Sequence, residues 1–215
     1  MEEISISNVK WTLSQNIYAK YVKRTIDIAG AITGLTVTLM PSILISIAVK
    51  LDSKGPILFS QKRLGYLGKE FSMYKFRSMV VNAENTGSGV YSFKNDPRVT
   101  KVGKFIRKTS LDELPQFVNI LKGDMSFIGP RPTLTYHPWK LEEYSDTQRI
   151  RFQVRPGITG RAQISGRKEI KWQERISHDI EYVQNISLTQ DIEILVKTII
   201  QVLAMKNNEN IKVTK

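Results

Sequence analysis

Apolar and polar positions divide the chain into stretches of different periodicity. From Ile28 to Val49, 22 residues carry no charge: IAGAITGLTVTLMPSILISIAV. About 20 apolar residues cross a bilayer core of roughly 30 Å as a helix, so the length permits a transmembrane span. Pro41 falls inside the run, where its ring and missing N–H kink a helix. It leaves arms of 13 and 9 residues. At about 1.5 Å per residue these reach roughly 20 Å and 13 Å, and neither crosses alone. Lys20, Lys23 and Arg24 precede the run; Lys50, Lys54, Lys62 and Arg63 follow it. Lys and Arg mark cytoplasmic flanks, so this symmetry favours both ends on one side. A re-entrant helix–break–helix hairpin and a kinked span both fit the pattern. The run exceeds a usual signal-peptide core and lacks an A-x-A-like site, so no cleavable signal is expected.

Beyond it, PILFSQKRL and KEFSMYKFRSM, separated by Gly65 to Gly68, predict a β-hairpin with Tyr74 and Phe76 on one face and Lys75 and Arg77 on the other. Residues 82–97, with Gly87, Gly89, Asn95 and Pro97, read as a mobile loop. PQFVNILK predicts a short helix, with Pro115 in its first turn and Gly123 at its C-terminal cap. GPRP at 129–132 and RPGITG at 155–160 read as rigid turns, and 169–186 as a helix. In DIEILVKTIIQVLAMK, Ile192, Leu195, Ile199 and Leu203 share a face that seals a core or lies on a membrane; core packing is the commoner outcome. No internal repeat or low-complexity stretch is present. The expected division is a membrane-associated segment 1–54, a catalytic domain 55–205 and a tail 206–215.

Composition narrows the partners. The 215 residues hold 32 Lys and Arg against 20 Asp and Glu, a net charge of +12 that predicts an anionic partner. There is no cysteine, hence no disulfide or thiolate chemistry. His137 and His178 lack the spacing of a metal cluster. The GSG at 87–89 extends into neither a dinucleotide fingerprint nor a Walker loop.

Within this basic chain, KTSLDELPQF at 108–117 places Asp112 and Glu113 side by side. One explanation is local: negative charge is favoured by about 0.3–1 kcal/mol at a helix N-terminus, and Ser110 to Glu113 matches a capping box. The other is chemical. Arg107, Arg131 and Arg155 sit in or beside turns and helix starts, where a planar guanidinium suits bidentate phosphate binding. A carboxylate among them would stay ionised, as a nucleophile must. Paired carboxylates with substrate phosphates also make a magnesium site. The chemistry indicated is phosphoryl transfer.

KRTIDIAGA with the broken apolar run, QKRLGYLGKEFSMYKFRSM, KTSLDELPQFVNILKGDMSFIGPRP, RPGITGRAQISGR and LTQDIEIL together resemble the bacterial sugar transferases, the small monotopic phosphoglycosyl transferases. The resemblance runs in family order from residue 20 to about 203. It implies an α+β fold: an N-terminal re-entrant membrane helix hairpin, then a small, mainly helical cytoplasmic domain with a β-hairpin and amphipathic membrane-surface helices. It implies transfer of a sugar 1-phosphate from a UDP-sugar to undecaprenyl phosphate, with Mg2+, at the cytoplasmic face of the bacterial inner membrane. Membrane lipid is then a partner, a homodimer is compatible, and nucleic acid is not expected.

By the same resemblance Asp112 matches the nucleophile that expels UMP, and Glu113 its partner in metal coordination or proton handling. Arg63, Lys75 and Arg107 match phosphate-contacting positions, and Arg131 and Arg155 positions near the nucleotide. Asp191 matches a late acidic position for which helix capping is an equal alternative. The family often has Ser-Pro at the membrane break, whereas Met40 precedes Pro41 here, so a backbone-satisfying hydroxyl is missing. Members with additional N-terminal membrane domains exist, and this chain is too short for one. Two other readings compete: a basic membrane-attached binding protein for nucleic acid or anionic lipid, and a phosphatase with an aspartyl nucleophile.

Overall fold

The computed structural model describes residues 16–89, 92–93, 95–166 and 171–204; the expected tail 206–215 and both ends of the expected domain division lie outside them. A π-helical turn, Tyr18–Val22, leads into helix α1 (Lys23–Val37) and then α2 (Leu39–Asp52). The two helices are bent by 61°, and no single helix among the described residues is long and apolar enough to cross a membrane. The break falls at Thr38 (φ −92°, ψ 7°), three residues ahead of Pro41. That offset follows from the proline, which lacks the N–H for the carbonyl of Val37 and crowds it. At the break Thr38 Oγ1 and Thr38 N both donate to the Gly34 carbonyl, at 2.6 and 2.9 Å, so this hydroxyl closes the end of α1 and does not replace the one expected to be missing beside Pro41.

Strands β1 (Leu58–Leu64) and β2 (Glu70–Phe76) form the expected antiparallel hairpin, with Leu58 opposite Phe76 and Leu64 opposite Glu70. Phe71 and Met73 pack with Ile120 and Met125, whereas Phe76, on the other face, joins Ile45, Val49 and Ile106. The hairpin is therefore covered on both sides. Arg77, just past β2, donates to the carbonyls of Val49, Ser53 and Lys54 (3.2, 2.7 and 2.8 Å) and so closes the C-terminal end of α2.

Helix α3 (Lys101–Lys108), absent from the sequence-based expectation, is capped by Thr100, whose Oγ1 accepts from Gly103 N at 3.0 Å. Helix α4 (Gln116–Lys122) ends at Gly123 with φ 89°, as expected. It packs on α1 closely, since a Cβ at Gly34 would lie 2.7 Å from the Phe117 ring; one at Gly30 would lie 2.8 Å from Phe127, which follows α4 in the chain. Strand β3 (Ser126–Ile128) runs parallel to β4 (Gly157–Thr159). RPGITG is thus not a turn but contains a strand, because its glycines allow the two backbones to meet; a Cβ at Gly157 would lie 2.1 Å from Gly129 N. Short helices α5 (Asp146–Arg149) and α6 (Arg161–Ile164) precede α7 (Trp172–Gln184), which covers the described part of the expected helix 169–186.

In the segment read as a mobile loop, Arg98 Nη1 donates to the carbonyls of Ala83, Thr86 and Gly89, each at 2.7 Å, and Asp96 pairs with the same guanidinium. Helix α8 (Leu188–Leu203) overturns the core-packing expectation. Ile192, Leu195, Ile199 and Leu203 are 44–77 % exposed, while Asp191 and Ile194 face inward. The apolar stripe is real, but the packed side of the helix is the opposite one.

Asp191 ties the two ends of the described chain together. Its Oδ2 accepts from Tyr18 Oη and Lys23 Nζ, both at 2.6 Å, and its Oδ1 from Tyr182 Oη at 2.7 Å. Removing one partner of a buried ion pair strands the other. Asp191→Ala is therefore expected to lower stability by about 3–5 kcal/mol, measured by thermal or denaturant unfolding, whereas a solvent-facing substrate ligand would be lost at little cost.

Candidate active site

Asp112 and Glu113 occupy a tight turn, Leu111–Glu113, between α3 and α4. Ser110 sits in the left-handed region (φ 59°) and its side chain caps nothing, so the expected capping box does not form. No side-chain oxygen caps α4 either. The pair instead faces β2. Lys75 Nζ donates to Glu113 Oε1 at 2.6 Å and lies 3.8 Å from Asp112 Oδ2. Arg131 Nη2 approaches Glu113 Oε1 at 3.6 Å. Helix-terminus electrostatics do not account for carboxylates that turn towards a lysine from another element.

Two devices set this geometry. Lys75 projects from β2 on the same face as Phe71 and Met73, whose packing against Ile120 of α4 brings it under the turn. Asn119, fully buried in α4, then fixes the register between helix and strand. Its Nδ2 donates to Ser72 O at 2.7 Å and its Oδ1 accepts from Tyr74 N at 3.0 Å, the residues on either side of Met73. Sequence reasoning passed over Asn119, although a lone amide inside the apolar FVNIL was a visible signal.

Asp112 is only 8 % exposed. Burial pushes its carboxyl above the usual range, Lys75 pulls it down, Glu113 pushes it up, and Arg107 and Arg131 pull it down. The net direction is upward, because burial outweighs the pull of the surrounding cations. Arg107 lies in the last turn of α3, donates to Ser92 Oγ at 3.2 Å, and is itself depressed by burial. Arg63 is pushed down to about 10, by burial first and by Arg131 second. It donates to Pro132 O at 3.3 Å and to Gln61 Oε1, which tethers it beside the GPRP turn.

Lys75, Arg107, Arg131 and, behind them, Arg63 are thus gathered around the carboxylates. Arg155 and Asp191 are not. Arg155 Nε donates to Gly123 O at 2.8 Å and the guanidinium lies 5.7 Å from the Tyr66 ring centroid. Together with Arg24, which donates to Ile120 O and Leu121 O at 2.7 and 3.2 Å, it closes the far end of α4. Asp191 belongs to the buried network with Lys23; the cap of α8 is Ser187, not Asp191. Among the described residues no cluster of three or more His, Cys, Asp or Glu side chains could hold a metal alone. Asp112 and Glu113 offer carboxylate oxygens to a cation that substrate phosphates would help ligate.

The bacterial sugar transferase family profile matches residues 18–205. The chain is 45% identical over 192 residues to the galactosyl transferase CpsE of Streptococcus agalactiae, covering 84% of this chain and 42% of that protein. It is 44% identical over 185 residues to the UDP-glucose:undecaprenyl-phosphate glucose-1-phosphate transferase of Escherichia coli, covering 84% and 40%. With the uncharacterized sugar transferase EpsL of Bacillus subtilis, identity is 41% over 182 residues, covering 85% of this chain and 87% of that protein. The chain therefore spans about two fifths of the first two relatives and most of the third.

The upward shift at Asp112 carries a test. Its folded-state pKa lies above the unfolded value of about 3.9, so the stability linked to its proton is full below that value and is lost as pH rises through the folded pKa. Asparagine never ionises. Asp112→Asn is expected to be at least as heat-stable as the parent at pH 7, with the difference vanishing as pH falls below about 4, read from unfolding midpoints across that range.

Proposed function

The chain belongs to the bacterial sugar transferase family, and from that premise we propose that it transfers a sugar 1-phosphate from a UDP-sugar to undecaprenyl phosphate, initiating assembly of a bacterial glycan. The carrying observation is the buried Asp112 and half-buried Glu113, held by Lys75 and flanked by Arg107 and Arg131. Asp112 attacks the phosphorus that bears the sugar, the P–O bond to UMP breaks, and UMP leaves. The resulting aspartyl phosphosugar ester is then attacked by the polyprenyl phosphate oxygen, which takes the phosphosugar and restores Asp112. A buried carboxylate of raised basicity suits nucleophilic attack once ionised. Arg107 and Arg131 neutralise charge on the phosphoryl oxygens and Lys75 keeps Glu113 in place beside them. Mg2+, held by Asp112, Glu113 and substrate phosphates, would supply further charge neutralisation there.

Intact-protein mass spectrometry after incubation with a panel including UDP-glucose and UDP-galactose, without acceptor, reads the adduct directly. Asp112→Asn is expected to fold, form no adduct and release UMP about a thousandfold more slowly or worse. An adduct on that variant would exclude Asp112 as the nucleophile.

The same reading makes α1 and α2 a re-entrant hairpin, with the exposed stripe of α8 lying on the cytoplasmic membrane surface. Its support is the 61° bend together with the exposed apolar side chains Ile32, Val37, Leu39, Met40, Leu44 and Ile47 around it. Cysteines introduced at Lys20 and Ser53 are expected to react with an impermeant reagent from the same side of the membrane; labelling from opposite sides would establish a span.

A further inference from the structure

The GPRP turn is held carbonyl by carbonyl. Pro130 O accepts from Gly157 N at 3.0 Å, Arg131 O from Arg151 Nη2 at 2.9 Å, Pro132 O from Arg63 Nη1 at 3.3 Å and Thr133 O from Leu64 N at 2.9 Å. Two of these residues are prolines and donate no main-chain hydrogen bond. The position whose side chain turns to Glu113 is thus tethered by a single guanidinium from a distant part of the chain.

Arg151 is 3% exposed and its partner Asp179, on α7, 2%. Arg151 Nε and Nη2 both donate to Asp179 Oδ2, at 3.1 and 2.7 Å. An ion pair buried this deeply is weak as a source of stability, because apolar residues of the same size commonly do as well. What apolar residues could not do is grip the Arg131 carbonyl. We infer that Arg151, oriented by Asp179, is a positioning residue that sets the main chain at Arg131 and thereby aims the Arg131 guanidinium at the reacting carboxylates. The inference deepens the transferase reading and rests on it for the role of Arg131.

The test compares the full chain in four forms in one membrane preparation: parent, Arg131→Ala, Arg151→Lys and the double variant. Lysine keeps the charge beside Asp179, but a point donor does not reproduce the fork that holds Asp179 and the carbonyl together. Arg151→Lys is expected to lower kcat/KM for UMP release at least about tenfold, and the double variant to be no worse than Arg131→Ala alone, since both changes remove one contact. A purely structural pair predicts that the losses multiply, and multiplication overturns the inference. A second readout does not depend on turnover. A spin label on Arg131→Cys, in this cysteine-free chain, is expected to gain mobility when Arg151→Lys is added, while a label on Lys122→Cys does not change; unchanged mobility at 131 also overturns it. Should Arg151→Lys fail to fold, Asp179→Asn is put through the same cycle and label comparison with the same outcomes. If the parent turns over no UDP-sugar, the transferase reading fails and the label comparison alone decides the positioning role.

Discussion

Two carboxylates on adjacent residues repel each other, and burying them is tolerable only with a cation at hand. That cation is the Lys75 ammonium, 2.6 Å from Glu113 and 3.8 Å from Asp112. Much of the fold around the site follows from delivering it. The lysine comes from β2 and the carboxylates from the turn ahead of α4, so strand and helix must keep one fixed register. Asn119 enforces that register through the main chain on both sides of Met73, and the cluster of Phe71, Met73, Ile120 and Met125 supplies the apolar contact that makes it permanent. Burial then leaves Asp112 with a stronger hold on its proton than a solvated aspartate has.

The bent helix pair is fastened to this domain by polar pins rather than by apolar packing alone. Asp27 Oδ1 accepts from Ser126 Oγ and Phe127 N, both at 3.0 Å, while Lys23 meets Asp191 and Arg77 closes the end of α2. Glycines on α1 let Phe117 and Phe127 come within reach of the helix backbone. The apolar residues around the bend are thereby released from core duty and remain on the outside. The same division holds in α8, whose inward face is organised by Asp191 and Ile194 and whose outward face carries the aliphatic stripe.

The features legible in the sequence were those written in short-range pattern: the hairpin, the cap at Gly123, and the break near Pro41. The misreadings share a cause. Ser110 and Glu113 have the spacing of a capping box, but Ser110 adopts a left-handed conformation that turns its hydroxyl out of use. RPGITG has the composition of a turn, yet its partner strand lies some thirty residues upstream. Periodicity found the apolar face of α8 without saying which face the core would take. Asn119, Arg98, Arg151 and Asp191 were missed or misassigned because each acts on residues of another element, often on main-chain atoms that leave no trace in residue type.

Arg98 makes that last point general. It grips carbonyl oxygens of residues 83, 86 and 89, so the contact itself specifies a main-chain path, while side-chain type is restricted only where Ala83 is buried and Gly89 is held at φ 61°. The segment it shapes lies at the rim of the candidate site, with Glu84 acting on Arg63 and Ser92 bonded to Arg107. Shape and spelling are consequently separable at the exposed positions of this rim, such as Glu84 and Asn85: substitutions there alter what a bound molecule touches while the path of the chain stays the same. At those positions the scaffold can be re-lettered for a different ligand without being refolded.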